Sequence, residues 1–181
     1  MNWSDALKLG RVSNMPTIWT NSLAGALLAG GAVGEGPFWC LMLAMTLMYI
    51  GGMYLNDAFD AEIDAQERPE RAIPSGRVAR STVFVLGFGM LVAAVALLAK
   101  FNMAAGIGAA ALAGCIVPYD WYHKTNPLSP VVMGACRALV YMTAAFCFTT
   151  EPGGAVKIGA VLLLCYLIGL TYVAKQENLG E

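Results

Sequence analysis

The sequence predicts an all-α fold: a polytopic membrane bundle of six transmembrane helices forming a single domain, residues 1–181. Three observations carry this prediction. Hydrophobic residues make up 58% of the chain and charged residues 13%, against about 25% charged in soluble domains. Mean hydropathy is +0.62. Apolar runs near membrane-crossing length recur along the whole chain, separated by short turn-like breaks.

In chain order, Met1 to Met15 is polar and lacks the apolar centre of a cleavable signal peptide. The expected spans are Pro16–Val33, Phe38–Leu55, Ser81–Ala99, Met103–Pro118, Val131–Thr150 and Val156–Ala174. A bilayer core needs roughly 17–25 helical residues, which most of these supply. The fourth is short and rich in Ala and Gly, a composition suited to close packing against neighbouring helices. Gly34-Glu35-Gly36-Pro37, Lys100-Phe101-Asn102 and Glu151-Pro152-Gly153-Gly154 are turn signals and lie on one side of the membrane. The N-terminus, 56–80, 119–130 and the C-terminal tail lie on the other.

Basic residues set the orientation. The side with the longer segments holds Lys8, Arg11, Arg68, Arg71, Arg77, Arg80, Lys124 and Lys175, whereas the turn side holds only Lys100 and Lys157. By the positive-inside rule the longer segments, and with them the N-terminus, face the cytoplasm. A net charge of −1 gives no basic face for nucleic acid. The five cysteines lie in apolar stretches with no C-x-x-C spacing and suggest neither a disulfide framework nor a zinc site.

At the end of the second span the chain reads Asn56-Asp57-x-x-Asp60-x-x-x-Asp64. If the helix continues, Asn56, Asp60 and Asp64 fall at i, i+4 and i+8 on one face, with Asp57 one position round. Carboxylates so placed repel unless a cation lies between them. Oxygen donors without His or Cys suit a hard ion, and Mg²⁺ commonly completes its shell with substrate phosphates. Arg68 and Arg71 follow and can hold phosphate oxygens bidentately. Together these groups describe a diphosphate site. The plainer alternative is a solvated loop whose charges stop the helix and set topology, and the regular spacing weighs against it.

These residues resemble the UbiA superfamily of intramembrane prenyltransferases. The family's N-D-x-x-D-x-x-x-D matches Asn56, Asp57, Asp60 and Asp64. Its R-P-x-R-P-I-P-S-G-R is similar to Arg68-Pro69-Glu70-Arg71-Ala72-Ile73-Pro74-Ser75-Gly76-Arg77, departing at Ala72. The opening "RVSNMPTIWTNSLAG" is similar to the family's first helix, where Asn21 matches a cavity-facing polar position. "YDWYHK" is similar to its second-hairpin loop, with Asp120 and Lys124 at the acid and lysine positions.

The resemblance implies an enzyme: a Mg²⁺-dependent prenyltransferase. It would move a prenyl group from a Mg²⁺-bound prenyl diphosphate to an aromatic or other lipophilic acceptor in the bilayer. Asn56, Asp57, Asp60 and Asp64 would hold the metal, with Asp60, Asp64, Arg71 and Lys124 catalytic. Asn21, Arg68, Asp120 and Arg137 would bind substrate. The family fold has nine helices, and its second acidic motif falls where this chain reads Tyr172 to Glu181, with Gln176 and Gly180 at the Asp positions and Glu177 and Glu181 as stand-ins. The expectation is therefore that a separate C-terminal half supplies further helices. The alternative is a non-catalytic prenyl-lipid-binding or scaffold protein retaining only the first motif. A small transporter ranks last, because the polar cluster sits at the rim rather than mid-membrane.

Arg137 lies within the fifth span, where a charge needs a partner or a water-filled cavity; a structural and a substrate role stand level. His123, the sole histidine, reads as an interfacial residue. The tryptophans and most tyrosines lie near span ends, as in an interfacial belt. Tyr49, Tyr141 and Tyr166 lie deeper and read first as packing residues.

Overall fold

A computed structural model describes residues 1–122 and 126–177, and the described residues are helical throughout apart from turns and loops. A short helix α1 (Trp3–Leu9) opens the chain, its first turn capped by the Asn2 side chain, which accepts from the Asp5 N–H at 2.7 Å. A 3₁₀ turn, Val12–Asn14, leads into α2 (Met15–Leu28). There follow α3 (Gly36–Phe59), α4 (Ala61–Glu67), α5 (Arg80–Phe101), α6 (Met103–Tyr122), α7 (Ser129–Phe146) and α8 (Gly154–Glu177).

Five of these helices, α3, α5, α6, α7 and α8, are long and apolar enough to cross a membrane, which agrees with a polytopic bundle. The expected first span is the exception. Its helix α2 has 14 residues, about 21 Å at 1.5 Å per residue, short of a hydrocarbon core of about 30 Å. The cause is local. Gly30 takes a left-handed φ of 83°. Its N–H donates to Leu27 O, and the Gly31 N–H donates back to Ala26 O at 2.9 Å. This is a Schellman stop, so the helix ends before Val33.

Helices α2, α3, α5, α6 and α7 form the bundle, and α8 packs on its outside against α7. Leu41, Met45, Met48, Leu55, Leu98 and Leu112 are buried at its centre. Small residues bring the backbones together. At the α3–α5 crossing a Cβ on Gly51 would meet Gly87 O at 2.9 Å. At α2–α7 a Cβ on Gly25 would meet Tyr141 O at 2.8 Å. Such approaches give van der Waals packing to helices whose hydrophobic association is weak in lipid. The Ala/Gly-rich α6 packs against α3, α5 and α7, as its composition implies. The C-terminus of α3, the C-terminus of α6 and the N-termini of α2 and α7 share one end of the bundle, and the site is built there.

Candidate active site at the end of helix α3

The helix carrying the acidic motif does not run on unbroken. Asp60 ends α3 and begins α4, with φ −78° and ψ −3°. The hydrogen-bond register nevertheless continues across the junction: Asp60 N–H to Asn56 O at 3.0 Å, Asp64 N–H to Asp60 O at 2.9 Å and Arg68 N–H to Asp64 O at 2.8 Å. The expected spacing of Asn56, Asp60 and Asp64 thus survives a change of helix rather than requiring one straight helix.

All four motif residues are buried, Asp64 to 1% exposure. Arg71 Nη1 donates to Asp64 Oδ2 at 2.6 Å and to Asp57 Oδ1 at 3.3 Å. Arg11 Nη2 donates to Asp57 Oδ1 and to Asn56 Oδ1, each at 3.2 Å. Asp57 therefore lies between two guanidinium groups. The Asn56 Nδ2 donates to Asp120 Oδ1 at 3.3 Å, which joins α3 to the end of α6 and leaves the amide oxygen facing Arg11. Buried charges persist when they are paired in this way.

The segment after α4 folds back over the motif. The Ser75 N–H donates to Arg71 O, the Gly76 N–H to Ile73 O and the Val78 N–H to Ala72 O, with Gly76 at a φ of 75°. Ala72 and Val78 pack in a small core with Leu9, Tyr54, Ala58 and Val83, so the turn forms with Ala at position 72. Arg77 Nε reaches Asp5 at 3.2 Å and ties α1 to this loop. Arg80 donates to Ala58 O at 2.7 Å and to Glu62 at 2.9 Å, meeting a carbonyl near the C-terminus of α3.

Two cavities meet here. A polar one of about 340 Å³ is lined by Arg11, Asn56, Asp60, Arg68 and Arg71, among others. An apolar one of about 140 Å³ lies between α2, α3, α6 and α7 and includes Tyr49, Asp120 and Arg137. Met53, Tyr119 and Met133 line both.

The structure thus brings Asn56, Asp57, Asp60, Asp64 and Arg71 together, with exposed Arg68 at the polar cavity and Asp120 joined through Asn56. Arg137 lies in the apolar cavity, apart from the acidic motif. Asn21 is half-buried on α2 and lines neither cavity. Lys124 and His123 lie outside the described residues, as do Gly180 and Glu181. Arg11 and Tyr119 were missed as site residues. In the sequence Arg11 bears on topology alone, and its partners Asn56 and Asp57 come 45 and 46 positions later. It also holds a left-handed backbone, φ 41°, with its carbonyl accepting from the Tyr49 hydroxyl at 3.2 Å.

Two features suit a hard divalent cation. The donors are all oxygens, and Asp64 Oδ1 is buried and accepts no hydrogen bond. Among the described residues no three acidic, His or Cys side chains gather at metal-binding distance. Arg11 and Arg71 pair with Asp57 and Asp64 here.

A family model described as the UbiA prenyltransferase family matches residues 17–176. A digeranylgeranylglyceryl phosphate synthase of Halobacterium salinarum is 33% identical over 175 residues, 94% of this chain and 60% of that protein. The Methanopyrus kandleri protein of the same name is 32% identical over 127 residues, 70% of this chain and 46% of its own. Protoheme IX farnesyltransferase 1 of Shewanella frigidimarina is 29% identical over 79% of this chain and 48% of its own. A solved structure from work on digeranylgeranylglyceryl phosphate synthase in membranes superposes with a TM-score of 0.77 at 21% identity, covering 91% of this chain and 58% of that one, and shares the fold. The chain spans about half to three-fifths of the length of these relatives. With most of its length matched, the chain belongs to the UbiA prenyltransferase family.

Proposed function

We propose that the chain binds a prenyl diphosphate and acts in transfer of its prenyl group to a lipophilic acceptor within the membrane. The observation that carries this reading is the junction of a polar cavity with an apolar one across Met53, Tyr119 and Met133. A prenyl diphosphate has the same two-part character, a highly charged head and an apolar tail. The reading places the acidic motif at the cytoplasmic face.

Arg68 and Arg71 are placed to contact diphosphate oxygens, and Arg11 lies across the same cavity. Asn56, Asp60 and Asp64 would hold Mg²⁺, with Asp57 beside them. When bound, the metal would supply positive charge to the leaving diphosphate. As the allylic C–O bond breaks, its electron pair leaves with the diphosphate, and the arginines stabilise that growing charge. The acceptor's electron pair forms the new bond to the allylic carbon, and the acceptor gives up a proton. The apolar walls exclude water from the carbocation. Lys124, four residues after Asp120, is a further proposed diphosphate contact.

One observation favours the non-catalytic reading: Arg11 and Arg71 already neutralise Asp57 and Asp64. The two readings separate when radiolabelled prenyl diphosphates are followed with Mg²⁺ in membranes, for wild type and Asp60→Ala. Transfer that falls roughly a hundredfold in the variant supports the enzyme. Binding without transfer supports the lipid-binding protein. Unchanged binding and transfer in Asp60→Ala overturn the site assignment.

A further inference from the structure

Helix α1 lies at the end of the bundle that carries the acidic motif, with one face turned in and another turned out. The Tyr54 hydroxyl on α3 donates to Ala6 O at 3.2 Å, and Arg77 Nε donates to Asp5 Oδ1 at 3.2 Å. Asp5 and Leu9 are buried on the inner face. These contacts fix which residues point away from the bundle. Trp3 is 79% exposed and Leu7 39%, four positions apart and so on one face of the helix. Lys8, next to Leu7, is exposed and makes no ion pair among the described residues. An apolar pair beside a lysine, on a helix pinned to the end of a membrane bundle, suits the layer between headgroups and acyl chains. Trp is favoured in that layer, and basic residues there attract anionic lipid.

The outer face of α1 continues into a groove. Trp3, Leu7, Lys8, Arg11, Val12 and Ser13 line an open space of about 700 Å³ between α1 and the 3₁₀ turn. The two charged residues in its lining are both basic, and no carboxylate lines it among the described residues. Arg11 commits one nitrogen, Nη2, to Asn56 and Asp57, and its Nη1 and Nε make no hydrogen bond to another described residue. Its backbone is held at a left-handed φ of 41°, and strained positions of this kind gather at ligand sites. The groove is distinct from the polar cavity of the acidic motif, which it meets only at Arg11.

Two basic side chains without a facing acid suit a phosphate. Exposed Trp3 and Leu7 beside them suit hydrocarbon, which inorganic phosphate lacks. A choline lipid would bring its ammonium group against Lys8 and Arg11 with no carboxylate to meet it. We propose that this groove binds one anionic phospholipid, its phosphate held by Lys8 and Arg11 and the start of its acyl chains lying against Trp3 and Leu7. The site goes beyond prenyl-diphosphate binding and stands without it.

The test titrates acyl-labelled fluorescent phosphatidylglycerol and phosphatidylcholine into the full chain in dodecyl maltoside micelles. Wild type should bind phosphatidylglycerol saturably and about tenfold more tightly than phosphatidylcholine, the worth of one charge-assisted hydrogen bond. Lys8→Gln should cut the preference to about twofold or less, and Lys8→Glu should abolish it. Trp3→Ala should weaken both lipids by a similar factor and leave the preference in place. Lys157→Gln, an exposed change on α8 away from the groove, should keep the wild-type preference.

Equal affinity of wild type for the two lipids overturns the proposal, as does a preference that survives both Lys8 variants. An equal loss in Lys157→Gln and Lys8→Gln would mean diffuse attraction of charge to the whole protein and overturns the site. A preference lost in Arg68→Gln but kept in Lys8→Gln would place the headgroup in the polar cavity, with the same result. Inorganic phosphate that displaces the labelled phosphatidylglycerol as well as unlabelled phosphatidylglycerol does, at equal concentration, would make this a site for a free anion and refute the lipid.

Discussion

Arg71 Nη1 lies 2.6 Å from Asp64 Oδ2, the shortest ion pair among the described residues, and the same nitrogen reaches Asp57 Oδ1 at 3.3 Å. One guanidinium nitrogen thus holds together two acids on either side of the α3–α4 junction. Asp64 is 1% exposed, so water cannot replace its partner. Arg71→Gln should therefore destabilise the protein by about 3 kcal/mol, the cost of leaving a buried charge unpaired. Thermal unfolding in detergent measures this. Adding Asp64→Asn should recover more than half of the loss. A loss in the double variant equal to the sum of the two single-variant losses would show that the two side chains act independently.

Arg11 combines an ion pair with a strained backbone, and two substitutions separate them. A non-glycine residue at a left-handed φ of 41° costs roughly 1 kcal/mol. Arg11→Gly relieves the strain and removes the side chain, whereas Arg11→Gln keeps the strain and removes only the charge. The glycine variant should be the more stable of the two by about 1 kcal/mol. Both should lose affinity for prenyl diphosphate, about tenfold if one charge-assisted contact is lost. Unchanged affinity in both would remove Arg11 from the site.

The contrast between Arg71 and Arg11 explains what the sequence could reveal. Arg71 stands seven residues from Asp64, so local spacing alone brought it into view. Arg11 approaches Asp57 only because α1 and the 3₁₀ turn fold beneath α3, a tertiary relation with no local signal. Long apolar runs mark α3, α5, α6, α7 and α8 directly. In α2 the apolar run passes through Gly30 and Gly31, and hydropathy does not register a left-handed residue ending a helix. Tyr119 was equally hidden, because a tyrosine near a predicted span end reads as an interfacial residue. Its place between two cavities depends on the α3, α6 and α7 packing.

The pairing of Asp57 and Asp64 with arginines also bears on metal binding. Mg²⁺ alone meets carboxylates whose charge is already balanced, so it should raise the unfolding temperature little. Mg²⁺ with pyrophosphate supplies oxygens to both the metal and Arg68 and Arg71, and the two ligands should stabilise more together than the sum of each alone. At a hundred times the dissociation constant, linkage gives about 2.7 kcal/mol of stabilisation. Asp60→Ala should abolish the joint effect. A full effect from Mg²⁺ without pyrophosphate would mean that the acids form a metal site of their own.

Away from the site, the α3–α5 crossing sets a limit on side-chain size. A Cβ on Gly51 would lie 2.9 Å from Gly87 O, and one on Gly87 would lie 2.8 Å from the Leu55 side chain. In both cases at least one obstacle is backbone or buried core, so the helices must separate to make room. Gly51→Ala should cost about 1–3 kcal/mol, the usual penalty for overpacking. Gly51→Leu should cost more and also disturb the end of α3, where Asn56 and Asp57 lie one turn and more beyond. Gly114→Ala on α6 is the matched control, since its Cβ would meet nothing within 4 Å, and it should leave stability within about 0.5 kcal/mol. The comparison is made by unfolding temperature in one detergent. Equal tolerance at Gly51 and Gly114 would mean that the two helices do not cross as closely as the structure has them.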